Sequence, residues 1–188
     1  MLTSTPSKPV AWFLHALDSS LGREIAKELI SAGEESGFPA KPEITWVPEG
    51  TWEDVTLNKV RAWSRENPDA LVLYTHTKGA LRQDRAQELW RGVMTDRLLR
   101  AWPARISDLQ ANDTSGVWWL TDYGSPYYAG NFWWANASYI ATLPKLPVLT
   151  AETRFEAEAW IGKGGPRAKW ISREWPSFSV PAPPEQQI

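Results

Sequence analysis

Apolar positions come in short dense runs that alternate with helical stripes. Residues 10–17 form one such run and predict a buried strand. Asp18, Ser19 and Ser20 then offer caps for a helix over 21–32, with Leu21, Ile25 and Leu29 on one face and Gly33 as the stop. Residues 44–47 predict a short strand. A second helix is expected to start at Thr51, with Asp54 in a capping-box position and Trp52, Val55, Val60 and Trp63 at helical spacing, and to end at Asn67-Pro68. Residues 70–75 are the clearest buried strand. Residues 84–102 are the clearest helix, its stripe running through Ala86, Leu89, Trp90, Val93, Met94 and Leu98 until Pro103, with a shorter piece continuing to Gln110.

Beyond that helix the pattern predicts a strand over 116–120, a turn-rich stretch over 122–126, an extended segment over 131–135, and helices over 136–143 and 150–162. A loop over 163–166 and a last strand over 169–172 follow. Strands alternating with helices predict an α/β fold with a mostly parallel sheet, in which ligands bind beyond the carboxyl ends of the strands. The strands over 10–17 and 70–75 carry His15 and His76 at or just past those ends, and these are the only two histidines. Residues 1–8 read as a polar, flexible start, 9–175 as one domain, and 176–188 as a proline-rich tail.

Composition narrows the chemistry. With 188 residues the chain fits one domain with a real core, and 43% hydrophobic against 22% charged residues is ordinary for a globular protein. The absence of cysteine excludes disulfides and thiolate metal sites. A net charge of -2 provides no bulk basic field for nucleic acid. No apolar run is long enough to span a membrane and no signal peptide is visible, so the expected location is cytoplasmic. Thirteen tryptophans are many; most are expected in the core, and those beside Gly, Asn or Tyr are candidates to stack on a sugar or a base.

Three blocks carry a resemblance: His76-Thr77-Lys78-Gly79 after its strand, Trp90-Arg91 with Met94 on the long helix, and Gly130-Asn131-Phe132-Trp133-Trp134-Ala135. A late Arg154 with Glu158-Ala159-Trp160 completes the pattern, Thr56-Leu57 fits ahead of the His-Thr-Lys strand, and Phe13-Leu14-His15 fits more loosely. Over residues 10–162 the chain resembles small bacterial and viral glycosyltransferase-like proteins related to the rhamnan-synthesis glycosyltransferases. That family often has a His just before its Gly-Asn-Phe block, where this chain has Tyr127 and Tyr128; if that His touches the acceptor, a different acceptor is expected here.

The resemblance implies a single Rossmann-like glycosyltransferase A-type domain. Its implied function is a glycosyltransferase moving a sugar from a nucleotide-diphosphate sugar to an acceptor hydroxyl with inversion. The strand that would end in metal-binding carboxylates runs instead into Thr75-His76-Thr77-Lys78, so no metal ligand is assigned; a divalent metal, which His76 could ligate, is compatible but not favoured, and no cofactor is firmly predicted. Lys78 can neutralise phosphate oxygens, His76 can donate to them, and Arg91 can fork onto them, with His15, Thr77 and Gly79 completing the nucleotide-sugar side. Arg82 and Arg85 are candidates for a basic mouth. Gly130, Asn131, Trp133, Trp134 and Tyr128 are the acceptor-side candidates, with one of the two tryptophans expected to enter the core and the other to face the site. The general base is Glu158 or Glu156; two residues apart on a helix they face different ways, and the family's Glu-x-Trp matches Glu158.

The acceptor is a saccharide, a protein or a modified DNA base. The second reading is a DNA glycosyltransferase acting on a hydroxymethylated base in viral DNA, with Arg82, Arg85, Arg97, Arg100 and Arg105 on the phosphates. A reading of another class is a non-catalytic carbohydrate-binding module with tryptophans in a shallow groove.

Overall fold

The computed structural model describes residues 7–81, 85–121 and 124–172. Strand β1 (Val10–Leu17) lies between β2 (Pro42–Val47) and β3 (Leu71–His76), parallel to both. Helix α1 (Ser20–Glu35) crosses from β1 to β2, and α2 (Asp54–Glu66) from β2 to β3. The sheet then continues through β7 (Trp133–Asn136), β4 (Thr114–Gly116) and β8 (Ala168–Trp170), giving the six-stranded order β2-β1-β3-β7-β4-β8. Only β7 runs against its neighbours β3 and β4, so the sheet is mostly parallel. A separate two-stranded ribbon pairs β5 (Trp119–Leu120) with β6 (Tyr127–Tyr128).

Side-chain alternation along β1 and β3 makes two cores. Trp12, Leu14, Ala16, Leu71 and Leu73 face α1 and the long helical segment that follows residue 85. Phe13, Val72 and Tyr74 face α2, together with Trp133, Ala135 and Trp160. Buried indole N–H groups find acceptors, as buried polar atoms must: Trp12 Nε1 donates to Thr75 Oγ1 at 2.8 Å and Trp134 Nε1 to the Leu98 carbonyl at 2.9 Å.

Several expected elements are reshaped. α1 runs past Gly33, whose missing Cβ makes room for the Trp12 ring (a Cβ would lie 2.9 Å from it), so this glycine serves packing and does not stop the helix. The expected helix over 84–102 is α3 (Arg85–Met94), one π-helical stretch Thr95–Arg100, and then α4 (Trp102–Asp108), which holds Pro103 in its first turn where a missing N–H costs nothing. Asp84 lies outside the described residues. The strand expected over 116–120 is divided between β4 and β5 because the chain leaves the sheet after Gly116. The helices expected over 136–143 and 150–162 shrink to α5 (Ala137–Ile140) and to α6 (Glu156–Ala159) followed by a 3-10 turn, Trp160–Gly162. Residues 151–155 form turns instead. The proline-rich tail lies outside the described residues, and of the polar start only residues 7 and 8 are described. Among the described residues no helix is long and apolar enough to cross a membrane.

Candidate functional site

The parallel strands β1 and β3 place His15 opposite His76 in register. Both side chains share the face of Phe13 and Tyr74, which is the α2 face, and the chain enters α2 from the same rim of the sheet. Because β7 is antiparallel, its entry, Gly130-Asn131-Phe132, arrives at that rim too. The rim therefore collects the ends of two strands, the start of a third and the first turn of a helix.

At its centre is Glu53, the residue before α2. It occupies the helix's capping position without capping it. Its side chain crosses to the sheet, where Oε1 accepts from Tyr74 Oη at 2.9 Å and from Asn131 Nδ2 at 2.9 Å. Burial pushes this carboxyl up. Electrostatic attraction to the His76 and His15 rings, with the hydrogen bonds from Tyr74 and Asn131, outweighs burial and holds it below the usual range. Position at a helix N-terminus favours its charge further.

Asn131 is fully buried and has φ 51°, a left-handed conformation that asparagine tolerates. Its Oδ1 takes Trp133 Nε1 at 2.9 Å, which fixes the amide so that Nδ2 must turn to Glu53. Gly130 before it has φ 87°, and a Cβ there would lie 2.6 Å from Met94 Sδ and 3.0 Å from Trp90 Nε1. The Gly130 N–H donates to Glu158 Oε2 at 3.2 Å, and its carbonyl lies 2.9 Å from His76 Nε2. A carbonyl only accepts, so His76 carries its proton on Nε2. Burial lowers the His76 pKa, Glu53 opposes this, and Lys78 and Arg91 add to it. Neutral His76 therefore presents Nδ1 as an acceptor. Its one proton is used on Gly130, so donation from His76 to a phosphate oxygen requires that contact to break.

His15 Nδ1 lies 2.8 Å from Thr56 Oγ1, and burial brings its pKa down to about 4, with Glu53 opposing and His76 reinforcing. Thr77 is buried and ties the two strand ends together, its Oγ1 accepting from the Leu17 N–H at 3.0 Å and its own N–H reaching the His15 carbonyl at 3.0 Å. Gly79 has φ 89° in the turn that follows. Lys78 Nζ sits 3.9 Å from the centre of the Trp90 ring, a cation–π contact that keeps the ammonium near the loop.

Other site candidates have protein partners of their own. Arg91 is buried; Nη1 donates to the Lys78 carbonyl at 2.9 Å and Nη2 to Glu28 Oε2 at 3.0 Å, so it braces the Lys78-Gly79 turn and is not presented to a diphosphate. Trp133 and Trp134 do point to opposite faces, but both are 0% exposed, one in each core, so neither ring makes an open acceptor surface. Tyr128 is equally buried, with its hydroxyl on the Lys169 carbonyl at 2.9 Å and its ring over Gly116. Glu156 pairs with Lys163 at 3.1 Å, away from Gly130, whereas Glu158 is on it. Of the arginines expected on DNA, Arg85 pairs with Glu88 at 2.9 Å, Arg100 with Glu35 and Asp96, and Arg105 is buried on Asp108; Arg82 lies outside the described residues. Among the described residues no three His, Asp or Glu side chains group closely enough to hold a metal.

Glu53 was missed by the sequence reading, which assigned Thr51-Trp52-Glu53-Asp54 to a helix start. The available signal was register: Tyr74 and His76 alternate onto one face, and the helix packed on that face begins with a carboxylate.

No curated protein and no solved structure matches the chain. One family model does, over residues 19–159, a span that holds Glu53, His76, Gly130, Asn131 and Glu158 and leaves out His15. That span is most of the sequence, and the chain belongs to the family described as Domain of unknown function (DUF8361).

Proposed function

We propose that this chain is a glycosyltransferase that moves a sugar from a nucleotide-diphosphate sugar to an acceptor hydroxyl, on a glycosyltransferase A-type domain. The observation that carries the reading is the shared anchoring of Glu158 and His76 on Gly130. It puts the matched carboxylate and the matched strand-end motif, which are 82 positions apart by number (158 less 76), at one corner of the sheet rim. Glu158 takes the proton of the acceptor hydroxyl while its oxygen bonds to the anomeric carbon. The bond from that carbon to the diphosphate oxygen breaks on the opposite side, and Lys78 meets the charge that develops on the leaving group. Inversion follows from this in-line displacement.

The DNA-modifying reading draws no support from its arginines, three of which are committed to carboxylates. Thermal unfolding with uridine, guanosine and thymidine diphosphates tests the main reading, since a ligand of the folded state raises the midpoint. A rise with at least one is expected; no rise with any of them removes the proposal.

A further inference from the structure

A carboxylate that merely held Tyr74 and Asn131 in place would be replaceable by a neutral acceptor at no desolvation cost. Glu53 is instead held towards its charged form in a partly buried position, and among the described residues both of its hydrogen bonds land on the same oxygen, Oε1. An ionised carboxylate has about four acceptor positions on its two oxygens, and Oε2 is left to accept from something else. The side chain also declines the helix cap that its own position offers. Its surroundings are set rigidly: Trp133 fixes the Asn131 amide, and Tyr74 stacks on the Trp133 ring with centroids 5.0 Å apart. Next to it stands the Gly130 corner that carries Glu158 and His76.

We infer that Glu53 is a ligand-reading residue: its Oε2 accepts a hydrogen bond from a sugar hydroxyl, while Glu158 handles the reacting proton. The inference rests on the glycosyltransferase reading and deepens it by giving the two glutamates separate work. Consecutive residues hold one carboxylate each, Glu158 on the Gly130 N–H and Glu53 on the Asn131 side-chain amide. Their environments suit the division. Glu53, held in its charged form, is a strong acceptor and a weak base. A site built to receive a hydroxyl rejects an analogue that lacks it, because the buried acceptor is then left unmatched.

Glu53→Gln is the informative variant. Its amide oxygen still accepts from Tyr74 and Asn131, and only the second position changes, from acceptor to donor. Binding of uridine diphosphate, 2′-deoxyuridine diphosphate and uridine diphosphate glucose is measured on wild type and variant by calorimetry, with the guanosine and thymidine series alongside. If Oε2 reads the transferred sugar, the variant loses about 10- to 100-fold for the sugar ester and under threefold for the parent diphosphate. If it reads the ribose, the loss appears for the ribonucleotide and not for the deoxy analogue; either pattern supports the inference. Equal losses for all ligands, no loss, or abolished turnover at unchanged affinity overturns it and leaves the glycosyltransferase reading standing. No binding of any nucleotide by wild type removes both. Should the variant not fold, wild type alone decides: uridine diphosphate glucose analogues lacking one sugar hydroxyl each, with the deoxy nucleotide, must include one that binds at least tenfold more weakly, and a uniform series overturns the inference.

Discussion

Glu158 and His76 are joined through one residue: Gly130 gives its N–H to Glu158 Oε2 at 3.2 Å and its carbonyl to His76 Nε2 at 2.9 Å. A displacement of Gly130 as a whole moves both contacts together. Glu158→Gln keeps an oxygen for the Gly130 N–H but cannot take a proton. Turnover is expected to fall by roughly 10²- to 10⁴-fold with nucleotide affinity unchanged, read by sugar transfer and by calorimetry. Full activity in this variant would exclude Glu158 as the base.

Gly130→Ala tests the corner itself. The added methyl meets Met94 Sδ at 2.6 Å, and the backbone conformation at φ 87° disfavours any side chain. Overpacking alone costs about 1–3 kcal/mol, and the positive φ adds to it. Urea unfolding should show the loss; a midpoint equal to wild type would mean the corner yields freely.

Lys78 and Arg91 are expected to separate by readout. Lys78→Ala should weaken a nucleoside diphosphate more than its nucleoside, with little change in stability. Arg91→Ala removes the brace on the Lys78 carbonyl and leaves Glu28 without its partner, so its main effect is a stability loss on the order of 1–3 kcal/mol. Paired calorimetry and denaturation distinguish them, and a nucleotide-only effect from Arg91→Ala would restore it as a phosphate ligand.

Acid should destabilise the fold in two windows. His15 titrates near 4 when folded and near 6.5 in the unfolded chain, so the unfolded chain binds the proton first. Stability then falls as pH drops from about 6.5 towards 4, by on the order of 2–3 kcal/mol. Glu53 is depressed, so its contribution, present above the ordinary glutamate range, is lost as pH falls through its folded pKa. His15→Gln should shrink the upper window and leave the part that His76, also lowered by burial, contributes. An unchanged slope between pH 7 and 5 would show that His15 does not titrate there.

The sequence reveals the parallel half of the fold well, because dense apolar runs such as 70–75 are buried on both faces and stand out as continuous apolar stretches. It reveals less about the segments after residue 95. The π-helical stretch keeps a helical stripe while changing the hydrogen-bond register, and Glu156 to Gly162 pack a short turn against the second core where helical spacing suggested a full helix. Site residues divide along similar lines. The motifs holding His76, Gly130 and Glu158 are legible in the sequence, and the fold brings these three residues together. Glu53 is legible only through register and packing, because its partners Tyr74 and Asn131 come from β3 and from the entry to β7. Arg91, Trp133 and Trp134 are buried where the motifs suggest ligand contact, because a motif names a residue without saying whether it touches ligand or holds the residue that does.

The antiparallel course of β7 has a consequence for motion. Trp133 to Ala135 are paired on both edges, to β3 and to β4. The Gly130 corner is thus tethered to the middle of the sheet, unlike a loop closing over it. Amide protons at Trp133 and Ala135 should exchange with solvent only through the rarest, most global openings, so thermal breathing of the surrounding loops will leave the spacing of the two glutamates intact.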